Sequence, residues 1–330
     1  MRERLARLAR RHEGRLLVID AILIALMSAI SPHFFTLQNL FDLLTTYAFT
    51  GILAAGLLVV LVSGGIDISF TAAASVAQYV AVSAALAFPI GWLGLFVVAL
   101  GSGLVLGVIN ALLISHLRIS SIIVTIATLN VFYGALMFIT HGNYIYTLPN
   151  WLANGLSWTI FTGAAHYAYA INLQIVLLVL TFIATWFLLT RTSTGRQIYA
   201  LGGNPDAAAR VGCNVLRLNL LAYGFMGVAA GVASLAQVQL DQSVMPNALV
   251  GKELGVLAVV VLGGASLLGG EGTVAGTILG LVLFAVLENG LIIIGVPSYW
   301  LDFFVGLMIL LAVGSTARAA MVRRKRQAIA

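Results

Sequence analysis

Charge is what this sequence has least of. Only 8% of its 330 residues are Asp, Glu, Lys or Arg, while 61% are hydrophobic; soluble domains carry about 25% and about 45–50%. No Lys or Arg occurs between Leu16 and Leu117, nor between Ile119 and Thr190. A soluble chain of this size wets its surface with charge, and this one has too little to do so. It reads as a polytopic helical membrane protein. Cysteine is almost missing as well: Cys213 alone excludes an internal disulfide and a multi-cysteine metal site. The five histidines (12, 33, 116, 141 and 166) are scattered, so no metal site is expected. There is no Gly-rich loop ending in Gly-Lys-Ser/Thr to cradle a nucleotide, and His12 and Glu13 lack the second His of a zinc-protease helix. No nucleophile–base pair stands out, so this chain is not expected to be an enzyme.

The basic residues present are distributed with a strong bias. Six arginines precede Leu16, five basic residues follow Ala317, Arg118 stands alone, and Arg191, Arg196, Arg210 and Arg217 share one segment. A hydropathy window predicts ten spans at 16–35, 43–62, 68–88, 91–115, 119–140, 171–190, 218–240, 254–268, 273–294 and 299–317. With both termini in the cytoplasm, sixteen of the seventeen basic residues fall inside and only Lys252 outside, as the positive-inside rule requires. The expectation is an all-α, polytopic transmembrane helical bundle of about ten spans. It has a basic cytoplasmic N-terminus (1–15), one membrane domain (16–317) and a basic cytoplasmic tail (318–330). A periplasmic loop (141–170) and a cytoplasmic loop (191–217) interrupt the membrane domain. The terminal arginines suit lipid head groups; without interleaved aromatics they do not suggest nucleic acid. The eighth span is short and Gly-rich, which leaves a broken or re-entrant helix open.

Within 191–217, residues 204–212 encode a miniature helix. Asn204 can cap it, Pro205 suits its first position, Asp206 suits its positive end and Gly212 can terminate it. Isolated helices shorter than about 12–15 residues are marginal in water, so this one needs a surface to dock on. Three more segments are distinctive. In 64–70, Asp67 and Ser69 can cap the third span, while Gly64 and Gly65 allow a tight reversal. In 262–280, Gly263, Gly264, Gly269 and Gly270 permit a sharp re-entry. In the ninth span, Glu288 beside Asn289 is a carboxylate that costs about 2.5–3.5 kcal/mol on insertion scales; it should face a cavity or a partner. Asn110 and Asn130 are further polar candidates for a translocation pathway, and each can equally bond a neighbouring helix. The run at 60–65 looks like that at 260–264, which is too little to establish a repeat.

These segments carry a resemblance. Gly65–Ser69 matches one family element and Thr192–Asn204, which includes Gly195, Arg196, Gly202 and Gly203, matches a second. Val261–Thr277 matches a third. In that order they resemble the permease subunits of ABC importers for monosaccharides, the ribose type, which are related to branched-chain amino acid permeases. The chain departs from the pattern at Phe70-Thr71-Ala72 and at Glu288. The resemblance implies a multi-pass protein of the bacterial inner membrane that pairs with a second copy or a paralogue. Cytoplasmic subunits would bind ATP and Mg, and a periplasmic sugar-binding protein would deliver the cargo; this chain would hold no cofactor. By motif, 204–212, with Ala207, Ala208 and Arg210, would be the element that couples to the ATPase. An ion-coupled secondary transporter for a small polar solute, using Glu288 and Asp302, is the alternative.

Overall fold

Backbone groups inside a bilayer must find their hydrogen-bond partners within the segment, and the apolar runs accordingly fold as helices. The structure, a computed structural model, describes residues 12–162, 168–297, 299–301, 303–307, 310 and 314. In chain order its helices are α1 (His12–Ile30), α2 (Leu37–Thr46), α3 (Ala48–Val62), α4 (Phe70–Ala87), α5 (Gly91–Leu117), α6 (Ser121–Thr140) and α7 (Asn150–Ala153). Two antiparallel strands follow, β1 (Ser157–Thr162) and β2 (Ala168–Asn172). Then come α8 (Leu173–Trp186), which runs on through a π-helical turn (Phe187–Arg191), α9 (Ser193–Gly203), α10 (Pro205–Arg210), α11 (Val215–Asp241), α12 (Glu253–Leu262) and α13 (Val274–Ile293). Six helices open on a Thr or Asn whose side chain accepts an amide of the first turn: Thr36, Asn172, Thr192, Asn204, Asn214 and Thr273.

The span count differs from the sequence expectation. Among the described residues six helices are long and apolar enough to cross a membrane, or seven if the bent pair α2–α3 is one span. Helix α1 carries Glu13, Arg15 and Asp20 and is not among the six. The expected second span is broken at Tyr47, where α2 and α3 meet at 53°. The expected eighth span is only the ten residues of α12, roughly 15 Å against a core of about 30 Å. It ends at Gly263, and the chain returns through 263–273 to start α13. Nine residues of the expected tenth span, 299–317, Asp302 among them, lie outside the described residues. The all-α bundle carries one short strand pair, β1–β2, in the connection between α7 and α8. Aromatic and β-branched residues there, outside any long apolar run, favour a pleated ribbon over a helix.

Helix α3 is the centre of the bundle. Every residue in it except Thr50 is buried, as expected of a helix apolar on all sides, and α8, α11, α12 and α13 pack around it. Beside it, α5 and α11 approach until backbone meets backbone. A Cβ on Gly227 would fall on the Gly103 carbonyl, one on Gly107 on the Tyr223 carbonyl, and one on Gly231 on the Ala99 carbonyl. This is small-residue packing at four-residue spacing.

The two similar sequence runs end their helices in one geometry. After α3, the Gly64 amide donates to the Leu61 carbonyl at 2.9 Å and Gly65 to Val60 at 3.1 Å. After α12, Gly264 donates to Val261 at 2.9 Å and Ala265 to Val260 at 3.1 Å. Gly64 and Gly264 both take positive φ, 87° and 92°, the left-handed residue of a Schellman cap. Two helices of the bundle thus end in the same turn, two hundred residues apart.

Gly227→Leu is expected to destabilise the detergent-solubilised protein by at least about 1–3 kcal/mol, the cost of overpacking. A lower unfolding midpoint in thermal or denaturant titration would register it. Gly101→Ala, where a Cβ meets nothing within 4 Å, should leave that midpoint unchanged or slightly raised.

Candidate coupling site and glycine junction

The short helix α10 is built as its residues dictate. Asn204 accepts the Ala207 amide at 3.0 Å, Pro205 takes the first position, Asp206 lies in the first turn and Arg210 in the last. Gly212, at φ 90°, follows the end, and the Cys213 amide closes on the Ala208 carbonyl at 3.0 Å. At six residues it has no independent stability; it is anchored by Ala208, which is buried. The preceding helix, α9, starts at Thr192, whose hydroxyl accepts the Gly195 amide at 2.9 Å and donates to the Leu188 carbonyl at 2.6 Å. Gly195, Ile198, Leu201 and Gly202 form its buried face. The opposite surface is open: Arg196, Gly203, Asn204, Pro205, Asp206, Ala207 and Arg210 are all exposed. Val211 is 78% exposed there, and Leu268 in the 263–273 loop is 76% exposed. Sequence reading overlooked both, because a single Val or Leu in a loop carries no signal until its exposure is known.

The three Gly-bearing motifs, distant in sequence, meet at one place. Gly202 lies where a Cβ would strike the Val62 carbonyl, the Gly270 amide at 2.6 Å and the Gly64 amide at 2.9 Å. A Cβ on Gly269 would meet Gly64 Cα at 2.5 Å and the Gly202 carbonyl at 2.7 Å; one on Gly270 would meet Gly203 Cα at 2.8 Å. Both Gly269 and Gly270 have positive φ, which other residues adopt only with strain. The Gly270 amide donates to the Val62 carbonyl at 3.0 Å. Nearby, the Tyr199 hydroxyl donates to the Gly272 carbonyl at 2.6 Å, and burial pushes that phenol above its usual pKa, so it stays a donor. Helix α1 ties into the same loop: His12 Nε2 lies 2.9 Å from the Leu262 carbonyl and the Thr273 hydroxyl donates to Glu13 at 2.7 Å. Gly263 plays a similar part between α12 and α13, with its Cβ position 2.6 Å from the Gly276 carbonyl.

Beyond the junction the chain re-enters through 65–69. Gly65 leaves no room for a side chain because the Tyr223 hydroxyl occupies the space. Asp67 and Ser69 do not cap α4 with their side chains. Ser69 stands at the N-cap with helical dihedrals and no side-chain cap bond; its amide and hydroxyl both donate to Asp67 Oδ1, at 2.8 and 2.7 Å. Asn110, buried in α5, donates to the Ser69 hydroxyl at 2.6 Å.

The four pathway candidates are therefore not gathered in one cavity. Asn110 braces the 65–69 turn. Asn130 is exposed on α6 and donates to its own helix at Ile126. Glu288 and Asn289 lie together on α13: Glu288 accepts from the Tyr47 hydroxyl at the α2–α3 break, and Asn289 accepts from Asn39 in the first turn of α2 at 3.1 Å. Sequence reading passed over Glu253, which is buried and accepts from Thr71 and the Gly251 amide. The available signal was a Lys-Glu pair set against an apolar run. Among the described residues no group of three His, Cys, Asp or Glu side chains could hold a metal.

Residues 39–313 match the family described as the permease component of the branched-chain amino acid transport system. The ribose import permease protein of Escherichia coli K12 is 33% identical over 301 residues, 91% of this chain and 92% of its own. That of Bacillus subtilis 168 is 35% identical over 304 residues, 88% of each chain. The autoinducer 2 import system permease protein of Yersinia pestis Pestoides F is 32% identical over 320 residues, 96% of this chain and 88% of its own. No solved structure matches the chain. The match covers well over half of its length and every element of the glycine junction: this multi-pass membrane protein belongs to the transport-system permease family.

Proposed function

We propose that the chain is the membrane subunit of an ATP-driven importer that carries a monosaccharide or sugar-like small molecule across the bacterial inner membrane. In this reading a second permease copy or paralogue completes the pathway and a periplasmic binding protein supplies cargo. Two cytoplasmic subunits bind ATP and Mg, and both termini of this chain lie on their side of the membrane. Relatives named for ribose and autoinducer 2 import support a sugar-like cargo. One observation carries the coupling: α9, which leads directly into α10, touches both re-entrant turns through Gly202 with no side chain between.

The mechanism follows from that contact. The exposed surface of α9 and α10 seats in an ATPase, with Val211 and Leu268 as apolar anchors. When the two ATPases close, they press on this surface. Because backbone abuts backbone at Gly202, the 62–65 and 269–272 segments move with α9. These segments precede α4 and α13, so the stroke reaches helices that line the bundle, which repacks between two discrete arrangements. Cargo then meets polar groups from the α2–α3 break and α13, with Glu288 and Asn289 bordering the route.

Reconstituted in lipid, the chain alone should hydrolyse no ATP. With its ATPase and binding-protein partners it should import sugar on ATP, and a proton or sodium gradient should not replace ATP. Hydrolysis by the purified chain, or gradient-driven uptake, would refute the assignment. Ala208→Pro places a proline inside α10, where it costs about 3 kcal/mol or more; membrane insertion should survive while ATPase co-purification or transport is lost. Gly202→Ala should separate the junction. We expect ATP hydrolysis to persist in the assembled complex and uptake to fall at least tenfold, measured as cargo imported per ATP.

A further inference from the structure

We propose that Lys252 is a cargo-facing, specificity-determining residue of the translocation route, one that offers ammonium donors to the hydroxyls of a neutral sugar. The proposal rests on the importer reading above. It starts from where the residue lies. Lys252 immediately precedes α12, and the first turn of that helix packs on α13: a Cβ on Gly255 would sit 3.3 Å from the Phe284 ring. Phe284 is the eleventh of the twenty residues of α13, so roughly 15 Å of helix lies on either side of it. Lys252, three residues earlier than Gly255, is within the bundle rather than at its edge. Its Nζ lies over the Phe49 ring, 5.4 Å from the centroid. Phe49 is the second residue of α3, and all of α2 extends beyond it.

Yet Lys252 is exposed. An ammonium at such depth costs about 2.5–3.5 kcal/mol when it faces hydrocarbon, so its open side must meet water or polar groups. The backbone argues the same way. After Val244, which bridges to Ile145 of the 141–170 loop, residues 245–252 are not helical, and irregular backbone at membrane depth is tolerated only inside protein or along a water-filled cavity. The segment is fixed from below by Glu253, whose carboxylate accepts the Gly251 amide at 2.9 and 3.1 Å and the Thr71 hydroxyl from α4. Glu253 is thus a positioning residue: it joins the start of α12 to the start of α4 and holds the peptide that carries Lys252.

The surroundings suit a polyol. Tyr47 stacks edge-on with Phe284 at 6.2 Å and binds Glu288, while Lys252 lies over Phe49 two residues further along the chain. A sugar hydroxyl both donates and accepts, and it can replace the water that each group loses. A site that binds hydroxyls in this way discriminates strongly against analogues that lack them, because its own polar groups would be left unpaired.

The test uses the Lys252→Cys substitution in a Cys213→Ala background within the complete complex of permease, ATPases and binding protein. The probe is a small, charged methanethiosulfonate. Ile183→Cys, at an exposed apolar position along α8, reports lipid exposure. We expect the Lys252→Cys variant to label at least tenfold faster than the Ile183→Cys variant, and trapping the ATPases with ATP and vanadate to slow it at least fivefold. Adding Glu253→Gln to the Lys252→Cys variant should change its labelling rate more than twofold without loss of assembly. Lys252→Met should lower ATP-driven uptake of radiolabelled ribose relative to the unsubstituted complex, with Lys252→Arg retaining part of it. Labelling at position 252 no faster than at position 183, or a rate indifferent to the ATPase state, overturns the proposal. Failure of the importer reading itself appears elsewhere, as an unsubstituted complex that neither assembles nor turns over ATP.

Discussion

Where Gly202 lies against the Val62 carbonyl and the Gly64 and Gly270 amides, nothing compressible separates three distant parts of the chain. Side chains can change rotamer to absorb a push; peptide planes in contact cannot. Packed protein transmits displacement for this reason, and a junction made only of backbone does so with the least slack. The hydrogen bond from Gly270 to Val62 and that from Tyr199 to Gly272 resist the opposite motion, so the contact can be pulled as well as pushed. Gly64, Gly269 and Gly270 satisfy a second demand there, since each holds a positive φ. Gly64, Gly269 and Gly270 thus make both the turns and the contact, while Gly202 meets them from within α9.

The rest of the bundle is arranged around this point. Helix α3 ends at the junction and is buried nearly throughout, while α4 and α13 begin just past the two re-entrant turns. At the other end of α3, the break at Tyr47 meets Glu288 of α13, and Lys252 lies over Phe49. One helix therefore links the glycine junction to the break that Glu288 faces. The α5–α11 glycine contact flanks it as a second close-packed pair. The shared cap after α3 and α12 gives both re-entrant turns the same starting direction.

Much of this was legible in the sequence where the controlling interactions are local. Asn204, Pro205, Asp206 and Gly212 mark α10 because capping and turn chemistry act within a few residues. Long apolar runs located α4, α5, α6, α8, α11 and α13 within a few residues. The number of spans was not legible, because an apolar run has the same composition whether it crosses the membrane or, like α12, stops halfway. No Pro or Gly announces the break at Tyr47. The meeting of the three glycine motifs depends on tertiary packing, which no spacing within one motif encodes. Asn110 stayed open between pathway and helix bonding because a buried amide and a solvated one are identical in sequence; in the fold it is buried and donates to the Ser69 hydroxyl 2.6 Å away.

The central claim is that α9 and the re-entrant loop after α12 move as one body during the transport cycle. Spin labels at Arg196 on α9 and Leu268 in that loop, both exposed, allow a direct distance measurement by pulsed electron resonance in the complete complex. The account predicts that this distance changes by less than about 2 Å between nucleotide-free and vanadate-trapped states, within ordinary interface shifts. Over the same transition, the distance from Arg196 to a label at Val105 on α5 should change by more than that. A 196–268 distance that shifts as much as the 196–105 distance would mean that the glycine junction opens, and it would contradict the account.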